Sequence, residues 1–175
     1  GKIPTLKTSD GHGVFESNVI ARYIAAIGTD AEGLLGVTPL EQAKINQWTE
    51  VITAYISDHA GPLWWFKIGY GSYNEAEWTK HFEALKAPFE SIERHFNNTG
   101  YAFLAGVRVT IADIILICTM VNGIKYGVYD LQFTKTYPKM TEYLKRVLEE
   151  KPVAEVLGEV QFADKFDPTT IVKTF

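Results

Sequence analysis

The sequence predicts a small, partial α/β layer followed by an all-helical domain. Two short extended pieces, residues 3–6 and 13–15, flank a turn-rich segment at residues 9–13, which is typical of a β-hairpin. One amphipathic helix follows the hairpin. Beyond a stretch rich in glycine and small polar residues, every apolar pattern has helical spacing. These observations favour a two-part architecture whose second part is entirely helical.

The division between the two parts falls in the glycine-rich stretch. Apolar residues recur at helical spacing from Glu16 to about Ile27, and Gly28 supplies a stop. Thr38 followed by Pro39 is an N-cap and first-turn pair that begins the next helix. We therefore assign residues 1–28 to the α/β layer, 29–38 to a linker and 39–175 to the helical domain.

The helical domain opens with two core-facing apolar stripes. Pro88 lies inside the second stripe, where it removes a backbone donor, so we expect a kink or a break there. Residues 111–121 are apolar on nearly every side, which indicates a central buried helix. A last helix begins near Tyr137 and Pro138, and Pro152 ends it. The first stripe comprises Ile45, Trp48, Ile52, Tyr55 and Ile56; the second comprises Trp78, Phe82, Leu85, Phe89, Ile92 and Phe96.

Composition argues against several classes of function. The chain has 175 residues, a formal net charge of −4 and a pI of about 5.6, so it provides no broad positive field for nucleic acid. No apolar run approaches the roughly 20 residues that span a bilayer, and no signal-peptide pattern is present, so we expect neither membrane association nor export. The single cysteine, Cys118, lies in an apolar run, which suits a buried thiol in a reducing compartment. We therefore expect a cytoplasmic protein.

The side chains that most often carry chemistry give no clear site. Cys118, as a buried thiol, would be inert. The aromatic cluster at residues 64–66 and 70 has two interpretations, a pocket or partner-binding rim on one side and ordinary core packing on the other. No metal-ligand spacing connects the histidines, so we predict no metal site. These histidines are His12, His59, His81 and His95.

Glu16 and Ser17 stand at the N-terminus of the first predicted helix. Unpaired backbone N–H groups and a partial positive charge are present there, so Ser17 can receive a carboxylate while Glu16 attracts an ammonium group. A zwitterionic amino-acid head fits this pair. The alternative interpretation is structural, with Ser17 as a helix cap and Glu16 as a complement to the helix dipole.

Thr110 and Asp113 fit a capping box at the start of the buried helix. In that motif the Thr hydroxyl accepts from the backbone amide three residues on, while the carboxylate reaches back to the Thr amide. The predicted role is structural. We expect Asp113→Ala to cost about 1 kcal/mol or more, because it leaves buried donors unsatisfied.

Three segments carry a resemblance to a known family: residues 1–6, residues 15–18 with 20–24, and residues 109–113. Together with the order of the parts, they resemble the cytosolic glutathione transferases. The resemblance implies a partial thioredoxin-like N-terminal layer, with its first βαβ unit missing, followed by the C-terminal helical domain of a glutathione transferase. It also implies a cis peptide bond before the proline and a glutathione-binding edge, made by Ile3, Pro4, Glu16 and Ser17.

The resemblance leaves the catalytic residue unknown. In that family a Tyr, Ser or Cys in the first strand–helix turn stabilises the glutathione thiolate, and this turn would precede Gly1. Glutathione is therefore a ligand or a substrate, and no other cofactor is implied. Family members commonly form homodimers, and the ring of Phe15, just before the helix, would lie near such an interface.

The C-terminal run narrows the resemblance. Residues 153–160 followed by 162–166 are similar to the end of the transferase-like domain of the gamma subunits of translation elongation factor 1. This implies a scaffold that binds the nucleotide-exchange subunit of elongation factor 1, with a further domain beyond Phe175. The alternative is an active glutathione transferase that conjugates glutathione to electrophiles.

Overall fold

The computed structural model describes residues 3–169. Gly1, Lys2 and residues 170–175, which belong to the ends of the two predicted domains, lie outside the described residues. The elements are strands β1 (Thr5–Lys7) and β2 (Gly13–Phe15) and helices α1 (Ser17–Ile27), α2 (Ala31–Leu35), α3 (Pro39–Ile52), α4 (Asp58–Ala60), α5 (Glu75–Thr99), α6 (Ile111–Lys125), α7 (Leu131–Thr136), α8 (Pro138–Glu149) and α9 (Lys151–Leu157).

The hairpin and the first helix confirm the predicted α/β layer. Strands β1 and β2 pair antiparallel, with Thr5 opposite Phe15 and Lys7 opposite Gly13. Helix α1 packs against both strands and against α6, and its Ala25 belongs to the main core. The layer is therefore attached to the helical part by apolar packing. The fold class agrees with the predicted one, whereas the boundaries at residues 28 and 38 stay a prediction.

The segment predicted as a linker contains the short helix α2. Leu34 and Leu35 of this helix pack against the core, and the following Gly36 is buried with φ of 89°. Thr38 then begins α3 with a capping box, in which Glu41 N–H donates to Thr38 Oγ1 at 3.2 Å and Thr38 N–H donates to Glu41 Oε2 at 3.3 Å. The predicted cap pair at Thr38 and Pro39 is therefore confirmed.

A π-helical turn, Thr53–Ser57, joins α3 to α4 and corrects the first apolar stripe. Ile45, Ile52 and Ile56 are buried as predicted, but Tyr55 is 60% exposed. A π turn contains more residues than an α turn. The wider turn rotates Tyr55 away from the core while Ile56 keeps its inward position.

Helix α5 is continuous through Pro88, so of the two predicted outcomes, a kink or a break, the break is absent. Pro88 is itself buried, between the buried Leu85 and Phe89. Proline removes one backbone donor from the ladder. Core packing on both sides of Pro88 holds the helix together across that lost hydrogen bond.

Helix α6 is the predicted central helix, but one of its faces is open. Cys118 is exposed, contrary to the prediction of a buried thiol, and it lies in a row with Ile114, Asn122 and Lys125 at steps of four and three. Such steps place side chains on one helix face. An apolar sequence pattern did not distinguish this outer face from the buried ones.

The main core lies among α3, α5, α6 and α8. Helix α8 ends at Glu149, in agreement with the predicted stop near Pro152. Pro152 also stands in the first turn of α9, which the sequence did not predict. Among the helices between residues 3 and 169, none is long and apolar enough to cross a membrane. The fully buried side chains of largest volume include Ile52, Ile56, Leu63, Leu85, Phe89, Ile92, Leu104, Leu116, Ile117, Met120, Tyr129 and Tyr143.

Candidate functional site

The predicted ligand-binding residues meet at the open end of the β-hairpin. The pairing of Thr5 with Phe15 brings the residues before β1 beside those after β2. Ile3 and Pro4 therefore lie at the same end as Glu16 and Ser17. The Ile3–Pro4 peptide bond is cis, as the resemblance implies, and Ile3 is 93% exposed. We call this group of four residues the N-terminal edge.

Glu16 has an unusual backbone conformation at the N-terminal edge. Its φ is 70° and its ψ is 116°, whereas φ is negative for nearly all residues other than glycine. Such outliers concentrate at ligand sites, because the surrounding structure must hold them. Glu16 is the N-cap residue of α1, and its side chain forms no capping hydrogen bond.

Ser17 is the first residue of α1 and not its cap. No acceptor among residues 3–169 takes the backbone N–H of Ser17, Asn18 or Val19, whereas Ile20 N–H donates to Glu16 O at 2.9 Å. Unpaired amides at a helix N-terminus attract anions. The structural alternative for Ser17, a helix cap, is therefore wrong, and its hydroxyl is exposed at the N-terminal edge.

Two polar contacts hold α1 against the helical part beside the N-terminal edge. Asn18 Nδ2 donates to Thr53 Oγ1 at 2.9 Å, and Arg22 donates from a guanidinium nitrogen to Asn46 Oδ1. Thr53 begins the π-helical turn, and its hydroxyl also donates to Thr49 O at 2.8 Å. Asn18, which follows Ser17 of the N-terminal edge, thus connects the start of α1 to the turn that displaces Tyr55.

Helix α1 also presents an exposed apolar surface. Val19, Tyr23 and Ile27 follow one another at steps of four along the helix, and Ile24 lies beside them. Their exposed fractions range from 37% for Tyr23 to 67% for Ile27. We call these four side chains the α1 row. Contiguous exposed apolar surface of this kind marks contact sites for other macromolecules.

The capping box of α6 is part of a larger buried network centred on Asp113. The carboxylate accepts from Thr110 N–H at 2.8 Å, Thr110 Oγ1 at 2.7 Å, Leu104 N–H at 2.9 Å and the Tyr143 hydroxyl at 2.9 Å. Burial raises the pKa of Asp113, and these hydrogen bonds oppose the rise. Burial also raises the pKa of Tyr143, and the nearby Asp113 charge adds to the effect. The network connects α6 to α8 and is structural.

Of the aromatic cluster at residues 64–66 and 70, one part packs into the protein and the other part lies on the surface. Phe66 is buried, and Trp64 stacks on Tyr126 with ring centroids 5.5 Å apart. Trp65 and Tyr70 are exposed at the surface and contact each other edge to face. Two of the four rings therefore serve packing, while the other two form an exposed rim.

Lys67 is a buried charged side chain that the sequence did not reveal. Its ammonium donates to the backbone carbonyl of Asp167 and lies 5.2 Å from the ring centroid of Phe166. Burial lowers the pKa of Lys67, whereas the Asp167 charge raises it. No local pattern could have shown this contact, since one hundred residues separate the partners.

A thin α/β layer that ends at a helix N-terminus and rests on a helical bundle is the architecture of glutathione-transferase-like proteins. A family model described as the glutathione S-transferase C-terminal domain matches residues 65–159. That match covers more than half of the chain. The chain belongs to the glutathione S-transferase C-terminal domain family.

Two named relatives match nearly the whole chain. The chain is 32% identical over 170 residues to probable elongation factor 1-gamma 1 of Arabidopsis thaliana, covering 96% of this chain and 39% of that protein. It is 30% identical over 165 residues to glutathione S-transferase-like protein FUS3 of Gibberella fujikuroi, covering 94% of this chain and 77% of the relative. The chain thus spans about two fifths of the length of the elongation-factor relative.

Solved structures show the same fold. The GST-like domain of elongation factor 1-gamma from Saccharomyces cerevisiae superimposes with a TM-score of 0.78 at 19% identity, covering 94% of this chain and 76% of that chain. Glutathione transferase URE2P6 from Phanerochaete chrysosporium, solved with oxidized glutathione, superimposes with a TM-score of 0.75 at 21% identity, covering 89% and 71%. At these identities the likeness establishes the fold alone.

Proposed function

We propose that this chain is the scaffold domain of an elongation factor 1 gamma subunit, which binds the nucleotide-exchange subunit of that factor in the cytoplasm. The observation that carries the proposal is the 32% identity to elongation factor 1-gamma across 96% of this chain. The match includes the C-terminal run at residues 153–160. A scaffold requires a contact surface and no reactive group.

The α1 row supplies a contact surface of the kind the scaffold needs. Its four side chains are apolar, exposed and carried by a helix whose opposite side reaches the core through Ala25. A helix fixed on one side and apolar on the other presents a rigid surface to a partner. Desolvation of Val19, Tyr23 and Ile27 would contribute most of the binding free energy.

A binding titration with the purified nucleotide-exchange subunit tests the scaffold proposal. We expect saturable binding to the unaltered chain and at least tenfold weaker binding for Val19→Asp, because a charge would have to be buried at the interface. Val156→Asp is the matched control, since Val156 is an 82% exposed valine on α9. Absence of binding to the unaltered chain would refute the scaffold. Equal binding by Val19→Asp and Val156→Asp would refute only the assignment of the α1 row as the contact surface.

Glutathione binding at the N-terminal edge is a second proposal, favoured by the free amides at Ser17. The Ser17 hydroxyl and the neighbouring N–H groups can receive the γ-glutamyl carboxylate, and the Glu16 carboxylate can receive its ammonium group. Ile3 and Pro4 offer exposed backbone beside them. Glutathione binding at this edge is compatible with the scaffold role.

Calorimetric titration with reduced glutathione tests the N-terminal edge. We expect Ser17→Ala to weaken binding several-fold and Ser9→Ala, an exposed serine in the hairpin turn, to leave it unchanged. Partner binding should be the same in both variants. If the unaltered chain and Ser17→Ala bind glutathione with equal affinity, the proposed binding at the N-terminal edge is wrong.

We also propose that the chain forms a homodimer through the surface around Phe15. The Phe15 side chain is 70% exposed, and Phe15 is the last residue of β2. Analytical ultracentrifugation should show a dimer that dissociates on Phe15→Ser, because burial of an aromatic ring contributes strongly to an interface. Tyr55→Ser, which alters another well-exposed ring, should leave the dimer intact.

A further inference from the structure

Two histidines from different helices face each other between α4 and α5. His59 Nδ1 lies 3.0 Å from His81 Nδ1, and the ring centroids are 5.2 Å apart. Both side chains are half-buried. A neutral imidazole has one N–H group and one unprotonated nitrogen. Without another ligand, one ring therefore donates from Nδ1 to the lone pair on Nδ1 of the other.

The separation between the two nitrogens also fits a shared metal ion. Metal–nitrogen bonds are about 2.0–2.1 Å long. Two coordinating nitrogens are therefore about 2.9 Å apart when the nitrogen–metal–nitrogen angle is a right angle, and about 3.4 Å apart when it is tetrahedral. The observed 3.0 Å is close to the right-angle value. Adjacent positions at a right angle belong to square-planar, tetragonal or octahedral coordination, which Cu²⁺ and Ni²⁺ prefer.

The surroundings of the pair favour a metal ion with some remaining water ligands. His81 lines an open cleft together with Glu77, which precedes it by one helical turn. Within residues 3–169, no group of three or more candidate ligands converges, so water must complete the coordination.

We propose that His59 and His81 form a two-histidine binding site for a divalent transition-metal ion, with Cu²⁺ bound most tightly. The ion is coordinated by Nδ1 of both rings, and the ring that carries its proton on Nδ1 moves it to Nε2. Solvent enters from the cleft beside Glu77. The order of affinities follows the general preference of nitrogen sites, in which Cu²⁺ exceeds Ni²⁺ and Zn²⁺. The site is independent of the proposed scaffold and of the N-terminal edge.

The site would join two helices that are separate in sequence. His59 belongs to α4, directly after the π-helical turn, and His81 belongs to α5. Twenty-two residues separate them, a spacing that matches no local metal-binding pattern. The prediction of no metal site from the sequence considered spacing alone and did not include contacts between helices.

Titration of the full chain with Cu²⁺, followed by electron paramagnetic resonance at one equivalent, tests the site. We expect one tight site whose spectrum shows hyperfine coupling to two imidazole nitrogens. His59→Gln and His81→Gln should each weaken the affinity at least tenfold and remove one of the two nitrogens. His12→Gln, which removes an exposed histidine of the hairpin turn, should change neither the affinity nor the spectrum.

Three outcomes would overturn the proposal. They are the absence of one-to-one binding, a spectrum of the unaltered protein with fewer than two imidazole nitrogens, and an affinity that falls equally in His12→Gln and His81→Gln. Circular dichroism establishes whether each variant folds. If His81→Gln fails to fold, the nitrogen count in the unaltered protein decides the question alone.

Discussion

The Tyr143 hydroxyl donates a 2.9 Å hydrogen bond to the buried Asp113 carboxylate and so connects α8 to the first turn of α6. Tyr143→Phe removes this donor without changing the shape of the ring. Hydrogen bonds to charged groups contribute about 1.5–3 kcal/mol. We therefore expect the free energy of unfolding to fall by about 2 kcal/mol, measured by urea denaturation.

Tyr129→Phe is the matched control for Tyr143→Phe. Tyr129 is also fully buried, but its hydroxyl has no hydrogen-bond partner within the described part of the chain. Removal of an unsatisfied buried hydroxyl is neutral or stabilising. An equal loss of stability in the two variants would mean that the Asp113 hydrogen bond contributes nothing of its own.

Asp113→Ala should be more harmful than the sequence alone indicated. The carboxylate accepts four hydrogen bonds, and its loss would leave the amides of Leu104 and Thr110 buried without acceptors. Each unsatisfied buried donor costs about 1–3 kcal/mol. We expect a loss of about 3 kcal/mol or more in urea denaturation, while Asp58→Ala, at an exposed position of α4, should change stability by less than about 0.5 kcal/mol. A small effect of Asp113→Ala would contradict the structural role of the network.

His95 should make the fold sensitive to acid. Burial lowers the pKa of His95 below its ordinary value, whereas its hydrogen bond to the Leu104 backbone and the Asp113 charge raise it. Because the folded pKa is lower than the unfolded one, the unfolded chain binds more protons as the pH falls. Stability is fully present above the unfolded pKa of about 6.5 and decreases as the pH falls toward the folded value.

Urea denaturation at pH 7.5, 6.5 and 5.5 measures this dependence on His95. His95→Leu should flatten the decline of the unfolding free energy by up to about 1.4 kcal/mol per pH unit. His12→Gln, at an exposed hairpin position, should retain the full decline. Part of the dependence should remain in His95→Leu, because burial also lowers the pKa of His81. An unchanged slope in His95→Leu would rule out His95 as a source of acid sensitivity.

Glu93 of α5 caps the N-terminus of α8 from a different helix. Its carboxylate accepts from Lys139 N–H at 3.1 Å and from Met140 N–H at 2.8 Å. The N-cap residue of α8, Tyr137, provides no side-chain cap of its own. Loss of a cap costs about 0.5–2 kcal/mol. Glu93→Ala should therefore lower the thermal midpoint by several degrees.

Glu90→Ala, on the same helix, serves as the control for Glu93→Ala. Glu90 is exposed, and its side chain forms no hydrogen bond with the residues that the structure describes. We expect its thermal midpoint to stay within about 1–2 °C of the unaltered protein, since surface changes away from caps are nearly neutral. If the two variants melt together, the carboxylate of Glu93 is not an effective cap.

Gly123 is required inside α6 for space. A Cβ atom at this position would lie 2.4 Å from Cε2 of the buried Tyr129 ring. Alanine is ordinarily the better helix former by about 1 kcal/mol. Overpacking of a core costs about 1–3 kcal/mol, so Gly123→Ala should destabilise the protein on balance when unfolding is followed by calorimetry.

Gly13→Ala is the contrasting case. An added Cβ at Gly13 meets nothing within 4 Å, and its φ is not positive. This variant should leave stability unchanged or slightly raised, because alanine restricts the unfolded chain more than glycine does. Stabilisation by Gly123→Ala would show that the Tyr129 ring moves aside without cost.

The features predicted well were those whose signals lie within one turn or one hairpin. The cap at Thr38 and Pro39, the turn between the strands and the periodic apolar residues of α5 and α6 each depend on neighbours in sequence. The family resemblance implied that Ile3, Pro4 and Ser17 share one edge, and the short hairpin brings these residues to the same end. Their role toward glutathione stays a prediction.

The errors have a common physical origin in packing. Tyr55 and Cys118 have apolar or aromatic character and helical spacing, yet both face outward. One is displaced by a π-helical turn, and the other lies on the open face of α6. Pro88 should interrupt a helix by local rules, but buried neighbours keep α5 continuous. Spacing alone contains none of this information.

The sequence by itself determined the hairpin, the amphipathic helices and their caps, because backbone sterics and apolar periodicity act over a few residues. The tertiary structure decided the pairs that join distant elements: Tyr143 with Asp113, Glu93 with Met140, and His59 with His81. These contacts span 22 to 47 residues. They form only after the helices pack, since the three-dimensional arrangement, and no local spacing, brings their polar atoms within hydrogen-bond distance.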